Sequence, residues 1–387
     1  MMFMLLSQQR ITPRIHDLFS IFGLFSRAQE DILEKYIPKK RKYWLGSGRE
    51  ALRQILLDIQ KKQKKSVPLT VGLPAYTCHV MVDAVKQYGS SPVFYDSAIL
   101  ADIKDISRII KRVDVLVLCY NFGFLPEIEK IAVLCKQHHV ILVEDCAQAL
   151  GAKYQGRLAG SFGEYAFYSF GISKTIGFCG GLIATDKELL LQGLRPFPFL
   201  RLLKTIVEVI VAPVFFHRSI YPLTNIFLRS ELEKEQQQMN YTLPTMAKKV
   251  VLSQFKRYDL ILSLRRKNAE YLLQELSGKV HFQQPLPGTE PSWLYFCFLD
   301  NDEDSKLFSG KPLSSKIFSR KLLSSKLLSG GIEAGKMLTF QALANAPLAK
   351  ATEEKVSTIA LYRPSAEVKK IVEMITMTIK DSGDYAP

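Results

Sequence analysis

Three consecutive stretches constrain the fold more than any others in the chain: "DVLVLCYN" (114–121), "PEIEKIAVLCKQHH" (126–139) and "VILVED" (140–145). The first and third are short apolar runs, and the middle one repeats its apolar residues at helical spacing. Strand, helix, strand is the unit of a parallel sheet, and continuous apolar runs mark strands covered on both faces. The rhythm begins upstream. "REALRQILLDIQ" (49–60) places Ala51, Leu52, Ile55, Leu56 and Ile59 on one helical face, "LTVGLPAY" (69–76) reads as strand and turn, "VMVDAVKQYG" (80–89) as helix and "SPVFYD" (91–96) as strand. "YAFYSF" (165–170) and "GGLIAT" (180–185) add two strands around a loop. The fold class expected is α/β with a mainly parallel sheet. Such sheets hold ligands at the carboxyl ends of their strands, and Asp145 closes one of them.

Asp145 and Lys174, the latter just beyond "YAFYSF", raise a chemical possibility. A lysine amine condenses with an aldehyde, and an aspartate can keep a pyridine nitrogen protonated; together they are the means by which proteins bind and tune pyridoxal phosphate. Taken singly, each has a plainer reading: a lysine after a strand is usually a surface residue, and an aspartate at a strand end usually a helix cap. Their company distinguishes them, namely Gln148, Ser169 and the paired Gly180 and Gly181.

The segments "EDCAQ" (144–148), "GRLAGSFG" (156–163), "SFGISK" (169–174) and "GG" (180–181) resemble, in order and spacing, those of the DegT/DnrJ/StrS aminotransferases. The resemblance runs from about residue 44 to 275. It implies a fold-type I pyridoxal phosphate-dependent transferase, with a large α/β lobe and a smaller α+β carboxyl-terminal lobe. Carried over, Lys174 is the lysine that condenses with the cofactor, Asp145 the partner of its pyridine nitrogen, Gln148 a neighbour of its ring hydroxyl and Ser169 a phosphate ligand. "GSGREAL" (46–52) looks like the family's phosphate-binding turn, with the amides of Gly48 and Arg49 aimed at the phosphate at a helix start. "NYT" (240–242) is similar to a segment whose asparagine, here Asn240, reaches the partner subunit's cofactor in a homodimer. The implied activity is transfer of an amino group from glutamate to a keto-sugar carried on a nucleotide, for polysaccharide or glycoconjugate synthesis. The alternatives are a sugar dehydratase, whose relatives tend to carry histidine at the position of Lys174, and a regulatory, non-catalytic member.

The resemblance also has departures. Cys78 stands where an aromatic residue often stacks on the ring, with Tyr76 or His79 as substitutes, and Thr242 replaces an arginine.

The other features exclude more than they assign. Six cysteines form no CxxC pair, which argues against a zinc site or a disulfide framework and favours a reducing, cytoplasmic setting. A net charge of +15 without aromatic interleaving or a recognition motif does not make a nucleic-acid binder. The apolar stretch 204–228 is interrupted by Glu208, Pro213, His217, Arg218 and Pro222, and reads as a core or subunit contact, with peripheral membrane contact the lesser option. "VVLSQFKRYDLILSLRRKNAEYLLQELSG" (250–278) reads as one long helix between lobes. The expected organisation is a lead-in (1–43), a large domain (44–250), a linker helix (251–278) and a small domain (279–387), the last holding a threefold decamer repeat (305–334).

Overall fold

The computed structural model describes residues 15–19, 27–171, 174–215, 240–299, 340–342, 346, 350, 356–360 and 365–381. The decamer repeat and residues 216–228 of the apolar stretch lie outside them.

Seven strands form the central sheet: β1 Arg41–Leu45, β2 Val71–Pro74, β3 Pro92–Tyr95, β4 Val115–Cys119, β5 Ile141–Asp145, β6 Tyr165–Ser169 and β7 Gly181–Thr185. Their spatial order is β1-β7-β6-β5-β4-β2-β3. The run β6-β5-β4-β2-β3 is parallel, and β7 is antiparallel to both its neighbours. The sheet is therefore the mainly parallel one that the strand and helix rhythm requires. Cys119 is in register with Asp145, and Asp145 with Phe167, so the carboxyl ends of β4, β5 and β6 meet along one edge.

Alternation along the strands feeds two cores. Leu116, Leu118, Leu142, Ala166, Tyr168 and Leu182 enter one, while Val115, Val117, Val143, Tyr165, Phe167 and Ile183 enter the other. The second core is closed by helix α1, Gly48–Lys62, and helix α2, Val80–Tyr88. The first is closed by α3, Ile103–Ile109, by α4, Ile128–Gln137, and by residues further along the chain. Burial of one such aliphatic side chain contributes roughly 1.5–3 kcal/mol, an upper figure because the unfolded chain already hides some apolar surface.

Helix α5, Phe199–Phe215, occupies part of the apolar stretch. It lays Leu202 and Val209 into the first core, and leaves Leu200 (77% exposed), Leu203, Val207 and Ile210 on its outer face.

The expected single helix over 250–278 is two: α6, Thr245–Phe255, and α7, Tyr258–Glu275. Packing accounts for the break. Phe255 and Tyr258 are both buried against Tyr36, with ring centroids 5.7 and 5.0 Å from it, and the Tyr258 hydroxyl donates to the Leu150 carbonyl at 2.7 Å. At Arg257 the backbone leaves helical geometry (φ −111°, ψ 8°), and the guanidinium grips both oxygens of Asp17 at 2.6 Å. The helix also ends before Gly278, which turns the chain with φ 74°.

The first half of α7 packs into the sheet's core through Tyr258, Ile261 and Leu262. Its second half, through Ala269 and Leu272, joins a third core with Phe296, Ile359, Val368 and Ile371. There strand Tyr295–Leu299 pairs with Val356–Ala360, and α8, Ser365–Asp381, covers them.

Candidate active site

A cleft of about 240 Å³ opens at the carboxyl edge of the sheet. Gly48, Arg49, Asp145, Gln148, Ser169 and Lys174 all line it, although they come from segments up to 126 residues apart in sequence.

One end of the cleft is the start of α1. Ser47 caps this helix, its Oγ accepting from the Glu50 N–H at 3.2 Å. Gly48 lies so close to Ser169 that a Cβ there would stand 2.9 Å from the Ser169 Cβ. Gly181 backs the same turn, and a Cβ on it would sit 2.6 Å from the Gly48 nitrogen. Small residues thus let a helix start, a serine hydroxyl and the β7 backbone converge. Free amides at a helix start carry partial positive charge and suit a phosphate.

The same cleft carries Asp145 and Lys174. The Asp145 Oδ1 accepts from the Ala147 N–H at 2.9 Å. Burial raises the Asp145 carboxyl above its ordinary value, against the opposing pull of that N–H, the Lys174 charge and the Cys119 thiol. Its side is packed by protein while its rim opens to the cleft. A carboxylate left short of positive charge in this way favours a cationic ligand.

Gln148 is buried, its Oε1 accepting from the Phe122 N–H at 2.6 Å. Its amide nitrogen makes no hydrogen bond among the described residues. Asn240 does not line the cleft of its own chain. Its N–H donates to the Glu50 Oε2 at 3.0 Å, its carbonyl accepts from Arg195 at 2.7 Å, and its φ is 83°.

The two proposed ring-stacking substitutes fall away from the cleft. Tyr76 is buried toward Phe122, ring centroids 6.4 Å apart, and His79 stands at the first position before α2 without a side-chain capping bond. Thr77 and Cys78 line the cleft in their place. The three-residue strand Tyr76–Cys78 pairs with Phe340–Ala342, and strand alternation puts the Tyr76 and Thr77 side chains on opposite sides.

The structure also gives Glu144 and the glycine-rich stretch 156–163 a role that the sequence left open. Glu144 is fully buried and accepts from the Tyr120 hydroxyl (2.6 Å) and from the N–H groups of Gly160 (2.7 Å), Phe162 (2.7 Å) and Gly163 (2.5 Å). Gly160 has φ 93°, and a Cβ there would stand 2.3 Å from the Tyr168 hydroxyl, so the position requires glycine.

Tyr120, Asn121, Arg201, Thr205 and Glu208 line the cleft and were not identified from sequence. Tyr120 and Asn121 follow β4 directly, so the rule that strand ends bear function could have found them. Arg201, Thr205 and Glu208 recur at i, i+4 and i+7, a polar stripe on a helix whose other polar residue is Lys204. Among the described residues there is no cluster fit for a metal ion.

The donors fit pyridoxal phosphate: amides at a capped helix start beside a serine for the phosphate, a buried carboxylate for the ring nitrogen, and an amine for the aldehyde.

The chain is similar to known proteins of one family. The family model described as the DegT/DnrJ/EryC1/StrS aminotransferase family matches residues 14–309. The GDP-perosamine synthase of Vibrio cholerae is 26% identical over 241 residues, covering 60% of this chain and 59% of that protein. The GDP-perosamine synthase of Escherichia coli O157:H7 is 34% identical over 125 residues, 31% of this chain and 34% of that protein. These curated relatives are thus matched over well under two thirds of their length.

Among solved structures, a DegT DnrJ EryC1 StrS aminotransferase from Brucella abortus superposes with a TM-score of 0.66 at 17% identity, covering 94% of this chain and 95% of that one. AtS13 from Actinomadura melliaura gives 0.69 at 15% identity, covering 96% and 98%. These likenesses establish the fold, and with the family match over residues 14–309 the chain belongs to the DegT/DnrJ/EryC1/StrS aminotransferase family.

Proposed function

We propose that the protein is a pyridoxal phosphate-dependent aminotransferase that takes an amino group from glutamate and delivers it to a keto-sugar carried on a nucleotide. The observation that carries this reading is the meeting of Lys174 and Asp145 in one cleft that the α1 start at Gly48 and Ser169 also lines.

Bound there, the cofactor supplies an electron sink for the carbanion left when the donor's Cα loses its proton. The amides of Gly48 and Arg49 and the Ser169 hydroxyl hold the phosphate. Asp145 holds a proton on the ring nitrogen by ion pairing, and the Ala147 N–H keeps its carboxylate oriented. Gln148, its oxygen tied to Phe122, offers its amide N–H to the ring hydroxyl. Among the described residues of the cleft Lys174 carries the one amine, and its Nζ takes up and returns the Cα proton.

Lysine at position 174 favours transamination over dehydration, since the dehydratases that the sequence resembles tend to carry histidine there. The same lysine and aspartate in one cleft favour an enzyme over a regulator, although a protein named pleiotropic regulatory protein in Geobacillus stearothermophilus is 27% identical over 181 residues.

We further place the protein in the cytosol as a homodimer serving polysaccharide or glycoconjugate synthesis, with Asn240 contributing to the partner's site. Among the described residues no helix is long and apolar enough to cross a membrane. The test is turnover with glutamate and a panel of nucleotide-linked keto-sugars. Formation of 2-oxoglutarate that depends on a keto-sugar supports the reading, and absence of turnover with every member of a broad panel counts against it.

A further inference from the structure

Helix α5 has a divided character. Its outer face carries Leu200, Leu203, Val207 and Ile210, and its inner face turns Arg201, Thr205 and Glu208 to the cleft. Glu208 pairs along the helix with Lys204, Nζ to Oε1 3.6 Å, whereas the arginine on the side that meets the ligand site has no such partner among the described residues of this helix.

Arg201 is held in place. Its guanidinium lies 5.8 Å from the centre of the Phe197 ring, and Phe197 packs edge-on against Tyr241, centroids 5.9 Å apart. Tyr241 in turn accepts the Gly46 N–H through its carbonyl at 2.7 Å, which ties this arrangement to the turn before α1. Among the described residues Arg201 makes no ion pair with a carboxylate.

Arg201 and Glu208 also lie within electrostatic reach of one another's surroundings. Burial pushes the Cys179 thiol up to about 12, with Arg201 pulling it down and Glu208 pushing it up. Cys179 lines the cleft just before Gly180 and Gly181, the residues that back the α1 turn. Arg201 thus lines the same cleft as the Gly48 and Arg49 amides, but from α5 rather than α1.

We propose that Arg201 is a substrate-binding residue: it receives an oxyanion of the substrate, with Glu208 setting the limit on how much negative charge the wall accepts. A planar guanidinium suits carboxylate and phosphate alike. Either the carboxylate of the amino donor or the diphosphate of the nucleotide supplies that chemistry. This inference rests on the cleft being a substrate site, as proposed above, but not on turnover.

The test is binding. Calorimetry on the cofactor-loaded protein uses UDP and GDP as diphosphate probes and glutarate as a dicarboxylate probe. Arg201→Ala is expected to weaken one class about ten- to hundred-fold and leave the other within about twofold. The class that weakens names the source. Arg201→Lys should recover part of the loss, and Glu208→Gln should tighten the same class by a few fold. The visible absorbance of bound cofactor checks that each variant is folded and loaded. Arg201→Ala and Arg201→Lys both leaving every probe within twofold of the parent would overturn the proposal. If probe binding depends on Arg201 while no keto-sugar is aminated, the subsite stands and the assigned reaction fails.

Discussion

Glu144 and Asp145, neighbours at the end of β5, send their carboxylates to opposite faces of the sheet: Glu144 to Tyr120 and the 160–163 backbone, Asp145 to the cleft and Lys174. Strand alternation alone accounts for this. One acid organises a loop, and the next faces the ligand.

Glu144→Ala should therefore be a stability variant. It would leave one hydroxyl and three backbone N–H groups buried without an acceptor, a loss of about 3–5 kcal/mol. Glu144→Gln keeps one acceptor oxygen but points an amide at donors, so it should fall between. Denaturant midpoints decide this, and an alanine variant within about 0.5 kcal/mol of the parent would remove Glu144 from this role.

Asp145→Asn should separate stability from catalysis. The folded, cofactor-free protein holds the Asp145 carboxyl above its unfolded value because burial disfavours the charge. Stability contributed by this group is then lost as pH rises from the ordinary carboxylate range through the raised one. Asparagine lacks that loss and still accepts from Ala147, so cofactor-free Asp145→Asn should match or exceed the parent's denaturant midpoint at neutral pH. Turnover should drop at least ~100-fold, because the ring nitrogen loses its ionic partner. Near-parent turnover would show that the carboxylate serves only the fold.

Gly48→Ala tests the phosphate end. Its Cβ would crowd the Ser169 Cβ at 2.9 Å and Oγ at 3.3 Å. Overpacking of this kind costs about 1–3 kcal/mol, and it falls on two groups assigned to one ligand. Cofactor affinity, measured by titrating absorbance, should drop about tenfold or more; unchanged affinity would place the phosphate elsewhere.

The sheet and much of the cleft were legible because strand ends and helix starts carry local signals. The apolar run before Asp145, the helix start at 46–52 and the glycines at 180 and 181 announce their geometry without tertiary knowledge. Long-range packing was less legible. The break at Arg257 arises from Phe255 and Tyr258 both seeking Tyr36, more than 200 residues earlier, while the apolar periodicity runs on through it. Likewise Tyr76 looked suited to the cleft until its short strand, paired with Phe340–Ala342, directed it into another core. Arg201, Thr205 and Glu208 were masked by apolar neighbours.

Asn240 offers a test of a site shared between subunits. Its backbone is fixed by Glu50 and Arg195, yet it lines no part of its own chain's cleft. Mixing Lys174→Ala with Asn240→Ala subunits should restore activity above either variant alone, since some dimers would pair an intact lysine with an intact asparagine. Heterodimers that form without recovering activity, or an active monomer, would contradict the shared site.

Lys174 is the residue proposed to hold the cofactor. Borohydride reduction of the protein loaded with pyridoxal phosphate, followed by peptide mapping, tests it most directly. The pyridoxyl mass is expected on Lys174, and is lost in Lys174→Ala together with the visible absorbance band and turnover with glutamate. The label on a different lysine, or a Lys174→Ala variant that keeps its absorbance and activity, would contradict it.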